Sequence, residues 1–279
     1  MPAMPDFYPA SRPAPFDALP GRPGDQADGL RRLFGGSRSR LALALVANPH
    51  VAFGGLVLDR LAAALAAQGR QVLVVDAATN SPPPAELAAV DLALCVETLA
   101  PRVAYLAAGG LAAAYINTRG DASGLIDAAQ RAHPAADVVL VHADAADLAR
   151  IFKRRAVRPL LLGADHPESI KHAYAGAKLL ATRCELLTFD LLLAVPPHSP
   201  RAAAIVKSLA GCAENFLGGV LVNHALIDPA EAAGAPASEA LAQLLGSQLS
   251  LDDSGFVPLG AMPQAPHLAA GPRRAVAHR

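Results

Sequence analysis

Short apolar runs bounded by turn residues recur along this chain, and stretches of helical periodicity separate most of them. RLALALVA (40–47), QVLVVDA (71–77), DVVLVHA (137–143), RPLLLG (158–163), TFDLLLAV (188–195) and GGVLVN (218–223) have strand length and no polar alternation. A strand that is apolar on both sides must be covered on both faces, which is the condition of a parallel sheet. AAAYIN (112–117) and GFVPLG (255–260) read as two further strands. Helical patterns span 54–69, 121–132, 167–182, 199–216 and 236–249. The alternation predicts an α/β fold, a mostly parallel sheet with helices on both faces. With 279 residues, 53% of them hydrophobic, one sizeable core is easily built.

The ends of the chain read differently. Residues 1–24 hold seven prolines and no apolar period, which predicts a disordered or extended leader. DQADGLRRLF (25–34) follows. Asp25 can cap a first turn, and Ala27, Leu30 and Leu33 or Phe34 form one apolar stripe before GGS ends the helix. This predicts a short helix over 25–36, an α/β domain over 38–270 and a basic tail over 271–279. Residues 222–254 read as an insertion before the last strand.

Composition excludes several classes. A formal net charge of +0 gives no global attraction to nucleic acid or an anionic membrane. The three cysteines form no CxxC pair, so neither a zinc site nor a disulfide framework is suggested. The nine histidines show no HExxH or comparable ligand spacing, and His166 and His172 do not share a helical face. No run reaches the ~20 apolar residues of a membrane span, no signal-peptide pattern opens the chain, and the tail lacks the large apolar residues of a membrane anchor. A cytoplasmic protein is expected. The basic run Arg150, Lys153, Arg154 and Arg155 reads as a solvated helix end, and SPPPAE (81–86) as a rigid loop.

Beyond these patterns, the first strand and the helix running into LAAALAAQGRQVLVVDAATN resemble the opening βαβ unit of MinD/ParA-type P-loop ATPases, whose deviant Walker A loop reads GKGGVGKT. RPLLLGADHPESIKHAYAGAKLL (158–180), FDLLLAVPPHSPRAAAIVKSLAGCAENFLG and FVPLGAMPQAP resemble later segments of the same family. DQADGLRRLF is similar to the N-terminal DQAxxLR helix of its flagellar-number regulators, the FlhG branch. There the helix binds the signal-recognition-type GTPase FlhF and stimulates GTP hydrolysis. The resemblance covers roughly residues 25–270. It implies partner-binding roles for Asp25, Gln26, Ala27, Leu30, Arg31 and Leu33. Leu30 and Leu33 would dock in an apolar groove, and Gln26 and Arg31 would reach toward the partner's nucleotide.

The resemblance also exposes what is missing. Its phosphate loop falls on NPHVAFGG, Asn48 to Gly55. Pro49 stands at the signature lysine, and Gly54 and Gly55 stand at the phosphate-binding lysine and the magnesium-binding threonine. That chemistry needs backbone N–H groups around the phosphates, a lysine to offset charge and a hydroxyl for Mg²⁺. The chain has only four lysines, Lys153, Lys171, Lys178 and Lys207, so none lies in its first half. Asp76 keeps the first aspartate of the family's DAD, but Ala78 replaces the second. His142 occupies the switch-aspartate position, with Asp144 two residues on, and the strand LLLAVPPH lacks the family's adenine-contacting asparagine. Such charge-stabilising contacts are worth ~10³-fold or more in phosphoryl transfer. The expectation is a pseudo-ATPase with ATP–Mg²⁺ binding lost or weak, no metal, and Asn48, Pro49, Gly54, Gly55, Asp76 and His142 as a vestigial nucleotide site.

The resemblance thus implies a regulator of flagellar number or placement that acts on an FlhF-like GTPase. It would be a monomer or weak dimer recruited to the flagellar pole or base, with no stable membrane anchor. Flagellar switch or basal-body proteins are further candidate partners. Two alternatives stand beside it: a weakly nucleotide-binding ATPase, with anions welcome at a helix N-terminus, and a structural adaptor for flagellar components. No G-x-G-x-x-G follows the first strand, which makes a Rossmann dehydrogenase a poor fit.

Overall fold

The computed structural model describes residues 41–153, 155–232 and 235–251. The leader 1–24, the helix candidate 25–36, the strand candidate 255–260 and the tail 271–279 lie outside the described residues. The strands are β1 Leu41–Val46, β2 Val72–Asp76, β3 Val96–Ala100, β4 Val103–Ala107, β5 Val138–Ala143, β6 Leu160–Ala164, β7 Thr188–Ala194 and β8 Val220–Ile227. The helices are α1 Gly54–Ala67, α2 Gly124–Ala132, α3 Ala145–Ile151, α4 Pro167–Cys184, α5 Ala202–Leu217 and α6 Glu239–Leu249. The strands form one sheet in the order β3-β4-β2-β5-β1-β6-β7-β8. Every pairing is parallel except the β3–β4 hairpin.

The two-sided apolar runs bury both faces. In β1, Leu43 and Leu45 point to one side, with Val57, Leu61 and Leu65 of α1 and Leu241, Leu244 and Leu245 of α6. Ala44 and Val46 point to the other, with Leu125 and Ile126 of α2, Leu148 of α3, Leu180 of α4 and Leu209 of α5. The alternation of leucine and alanine along β1 sets the spacing of the layers. A Cβ on Gly176 of α4 would meet Val46 Cγ1 at 3.1 Å, so a glycine there lets α4 lie close over β1.

One expectation needs correction. Residues 112–117 are not a strand, because Leu111–Tyr115 is a 3₁₀ turn entered through Gly110 at φ 75°. The buried strand lies earlier, at β4, which pairs with β2 from Val72↔Val103 to Asp76↔Ala107. Alanine runs around it carry no period, so the strand signal was displaced. Within 222–251, the first residues complete β8, and α6 buries Leu241, Leu244 and Leu245 on the α1 side of the sheet.

A buried ion pair fastens α6 near the start of β7. Arg158 Nε donates to Asp190 Oδ2 at 2.8 Å, and Gln248 Nε2 donates to the same oxygen at 2.8 Å. Asn223 donates to Oδ1 through its backbone N–H (2.9 Å) and its Nδ2 (3.1 Å). Asp190 is fully buried, so its charge depends on these donors. Asp190→Ala, which strands Arg158, is expected to cost about 3–5 kcal/mol in urea denaturation. A loss below about 1 kcal/mol would contradict that burial.

Candidate functional site

The β1–α1 connection leaves the sheet beside β5 and β6, where the strand order reverses direction, the usual place for a ligand crevice in such sheets. Asn48 closes this connection inward. Its Nδ2 donates to Leu162 O (2.7 Å) and shares Ser169 O (2.9 Å) and Ser169 Oγ (3.0 Å). Its Oδ1 accepts the His50 N–H at 3.1 Å. Val51 is buried beside it, and Pro49 and His50 are exposed. The chain enters α1 through Phe53, a non-glycine residue at φ 62°, a strained conformation outside glycine, asparagine and aspartate. Helix α1 begins at Gly54 and Gly55 with no acidic residue in its first turn and no side-chain cap. Nothing lies within 4 Å of a Cβ built on either glycine.

A second group of side chains gathers at the end of β2. Asp76 and His142 are register partners on neighbouring strands, so both project to the α1 side of the sheet. His142 Nδ1 lies 2.7 Å from Asp76 Oδ1. Against an ionised carboxylate that nitrogen carries the proton. Ser81 Oγ also donates to Asp76 Oδ1, and Tyr105 OH donates to Oδ2 at 3.0 Å. Burial alone would raise the Asp76 carboxyl, but the donors His142, Ser81 and Tyr105 outweigh it and hold the group below its usual 3.8. Burial and the Asp76 charge push the Tyr105 phenol up, so it stays a donor. Asp59 on α1 is raised by burial and then by Asp76.

The loop after β2 is held from two sides. Thr79 N–H donates to Asp144 Oδ2 at 2.9 Å, and the Thr79 hydroxyl reaches the same oxygen. Gly109 N–H donates to Pro82 O at 2.9 Å. A Cβ on Gly109 would sit 2.4 Å from Ser81 O, so only glycine permits that approach.

Of the residues singled out from the sequence, the structure joins Asp76 to His142 and places Asn48, Pro49, Gly54 and Gly55 along the β1–α1 connection. Asp25, Gln26, Ala27, Leu30, Arg31 and Leu33 lie outside the described residues. Asn48 turns toward β6 and α4. His166 caps α4, its Nδ1 accepting the Glu168 N–H at 3.3 Å, and His172 meets His50 edge-on at 5.6 Å. Among the described residues no group of three or more His, Cys, Asp and Glu side chains could hold a metal ion. Arg150 and Arg155 are ion-paired with Asp147 and Asp127. Sequence reasoning missed Ser81 and Tyr105. Tyr105 was findable, as the one polar-tipped residue in VAYLA, had that run been read as the strand beside β2.

This sheet, with α1 opening at the end of its central strand, is the MinD/ParA-like P-loop NTPase fold. Cobyrinic acid a,c-diamide synthase of Mycobacterium smegmatis, solved with an ATP analogue and magnesium, superposes with a TM-score of 0.51 at 18% identity, covering 77% of this chain and 97% of that one. A plasmid partition protein of Borrelia burgdorferi bound to AMPPNP gives 0.50 at 8% identity, over 77% and 99%. The MinD cell division protein of Aquifex aeolicus gives 0.49 at 14%, over 74% and 97%. At these identities the likeness to the first two establishes the fold alone. No protein-family model matches the sequence, nor does any curated protein. Among the described residues no helix is long and apolar enough to cross a membrane.

The depressed Asp76 carboxyl fixes a pH signature. Its unfolded counterpart titrates near 3.8, so its contribution is complete above that pH and is lost as pH falls through the lower folded value. Asp76→Asn should lower the urea midpoint at neutral pH, and the gap to wild type should close in acid. A gap independent of pH would refute this account.

Proposed function

We propose that this chain is a FlhG-like regulator that has given up ATP hydrolysis and acts on a signal-recognition-type GTPase through its DQADGLRRL helix. The observation that carries the first half is the crowding of Asp76 by donors. Its Oδ1 already accepts from Ser81 and His142 and its Oδ2 from Tyr105, which leaves at most one acceptor position for a metal or its water. The α1 N-terminus supports the same reading. Gly54 and Gly55 supply neither ammonium nor hydroxyl, and no lysine precedes Lys153. Phosphoryl transfer draws its charge stabilisation from such groups. The second half rests on the residue pattern of 25–34: Leu30 and Leu33 dock, and Gln26 and Arg31 reach the partner's nucleotide. A helix this short is marginal alone in water, so folding on binding would suit it.

GTP hydrolysis by the cognate FlhF-like GTPase, with and without a peptide of residues 20–38, tests the activator role. Stimulation by the peptide, reduced in its Gln26→Ala variant, is the expected result; no stimulation by peptide or intact protein ends this reading. Thermal unfolding with ATP–Mg²⁺ tests the pseudo-ATPase role. A ligand at about a hundred times its Kd would add about 2.7 kcal/mol, and an unchanged midpoint is expected.

A weak nucleotide binder is the second reading. The uncrowded N-terminal turn of α1, open beside Gly54 and Gly55, favours it, since helix N-termini welcome anions. An upward midpoint shift with ATP–Mg²⁺ would select it.

A further inference from the structure

The β2–β4 connection presents an apolar surface that the fold does not use. Two 3₁₀ turns, Glu86–Ala89 and Leu92–Cys95, lead into the edge strand β3. Leu92 alone is buried there, whereas Leu87 is 53% exposed, Val90 81%, Leu94 63% and Leu99 53%. Single exposed leucines are ordinary, but here four large apolar side chains are exposed within thirteen residues. Leu87 and Val90 are three apart on a 3₁₀ turn, so they stand in one row.

The charges carried by this segment itself have one sign, and the next cation along the chain is Arg102. From Gln71 to Pro101 there is no lysine, arginine or histidine. Glu86, Asp91 and Glu97 are exposed, and no ion pair among the described residues takes any of the three. The surface is also fixed in advance. Prolines 82–84 stiffen its stem, Gly109 N–H holds Pro82 O, and Ser81 is tied to Asp76. A rigid surface loses little entropy on binding. Strand addition at β3 is disfavoured by the register shift between Thr98 and Ala100 and by Glu97, whereas a ridge of apolar side chains rimmed by carboxylates suits a helix.

We propose that residues 86–99 are a docking surface for a basic amphipathic helix of a partner protein. This is independent of the GTPase-activator reading, because residues 25–34 take no part in it. The stem of the surface is the same loop that closes over Asp76, so the site at the end of β2 serves the surface as a fixed support.

The test uses the full chain and two synthetic helical peptides with the same leucine face, one with lysine and one with glutamate on its polar face. Amide-resonance mapping with the leucine–lysine peptide is expected to perturb 86–99. Val90→Asp/Leu94→Asp and, separately, Glu86→Lys/Glu97→Lys should each weaken binding at least about tenfold. Both pairs change exposed side chains, so thermal unfolding should show the fold intact. Equal binding of the leucine–glutamate peptide, or perturbations elsewhere, would overturn the proposal. So would a concentration-dependent dimer abolished by Val90→Asp/Leu94→Asp, which would assign the patch to a second copy of this chain.

Discussion

The parallel ladder β2–β5–β1–β6 is the constraint on which the other elements depend. Its strands are covered on both faces, so each must be apolar on both sides, and each connection must cross a face. Parallel pairing also puts the carboxyl ends of four strands in one row. Asn48, Asp76, His142 and Asp144 sit at or just beyond that row because the ladder leaves polar residues nowhere else to go. Within the strands themselves a polar side chain would face a helix. In β7, beside that ladder, Asp190 is buried, and it is surrounded by donors.

Most of that architecture was readable in the residues. The runs at 40–47, 71–77, 137–143 and 188–195 are long, β-branched or leucine-rich and sharply bounded, and each became a strand. The failures came where alanine dominates. Alanine is small enough for either face and helical enough for a turn, so AAAYIN gave a false strand while VAYLA went unread. The edge strand β3 was missed for another reason: Glu97, Thr98 and Leu99 face solvent, and no burial pattern marks them.

The site was legible in identity but not in geometry. Asp76 and His142 could be placed at strand ends from the sequence, yet their pairing depends on a strand order in which β5 lies beside β2. Ser81 joins them only because the chain folds back after Asp76, a close approach governed by Gly109, twenty-eight residues downstream of it. Lysines missing from a first half are visible at once in a sequence. A carboxylate already accepting from three side chains is visible only in coordinates.

The Arg158–Asp190–Gln248 cluster and the Asp76–His142 pair lie toward opposite ends of the strands. The first anchors α6 and the second the loop after β2, and no hydrogen bond links them. Substitutions at one end are therefore nearly invisible to the other in additive terms. That separation lets side chains at one end of the strands change without unfastening the other.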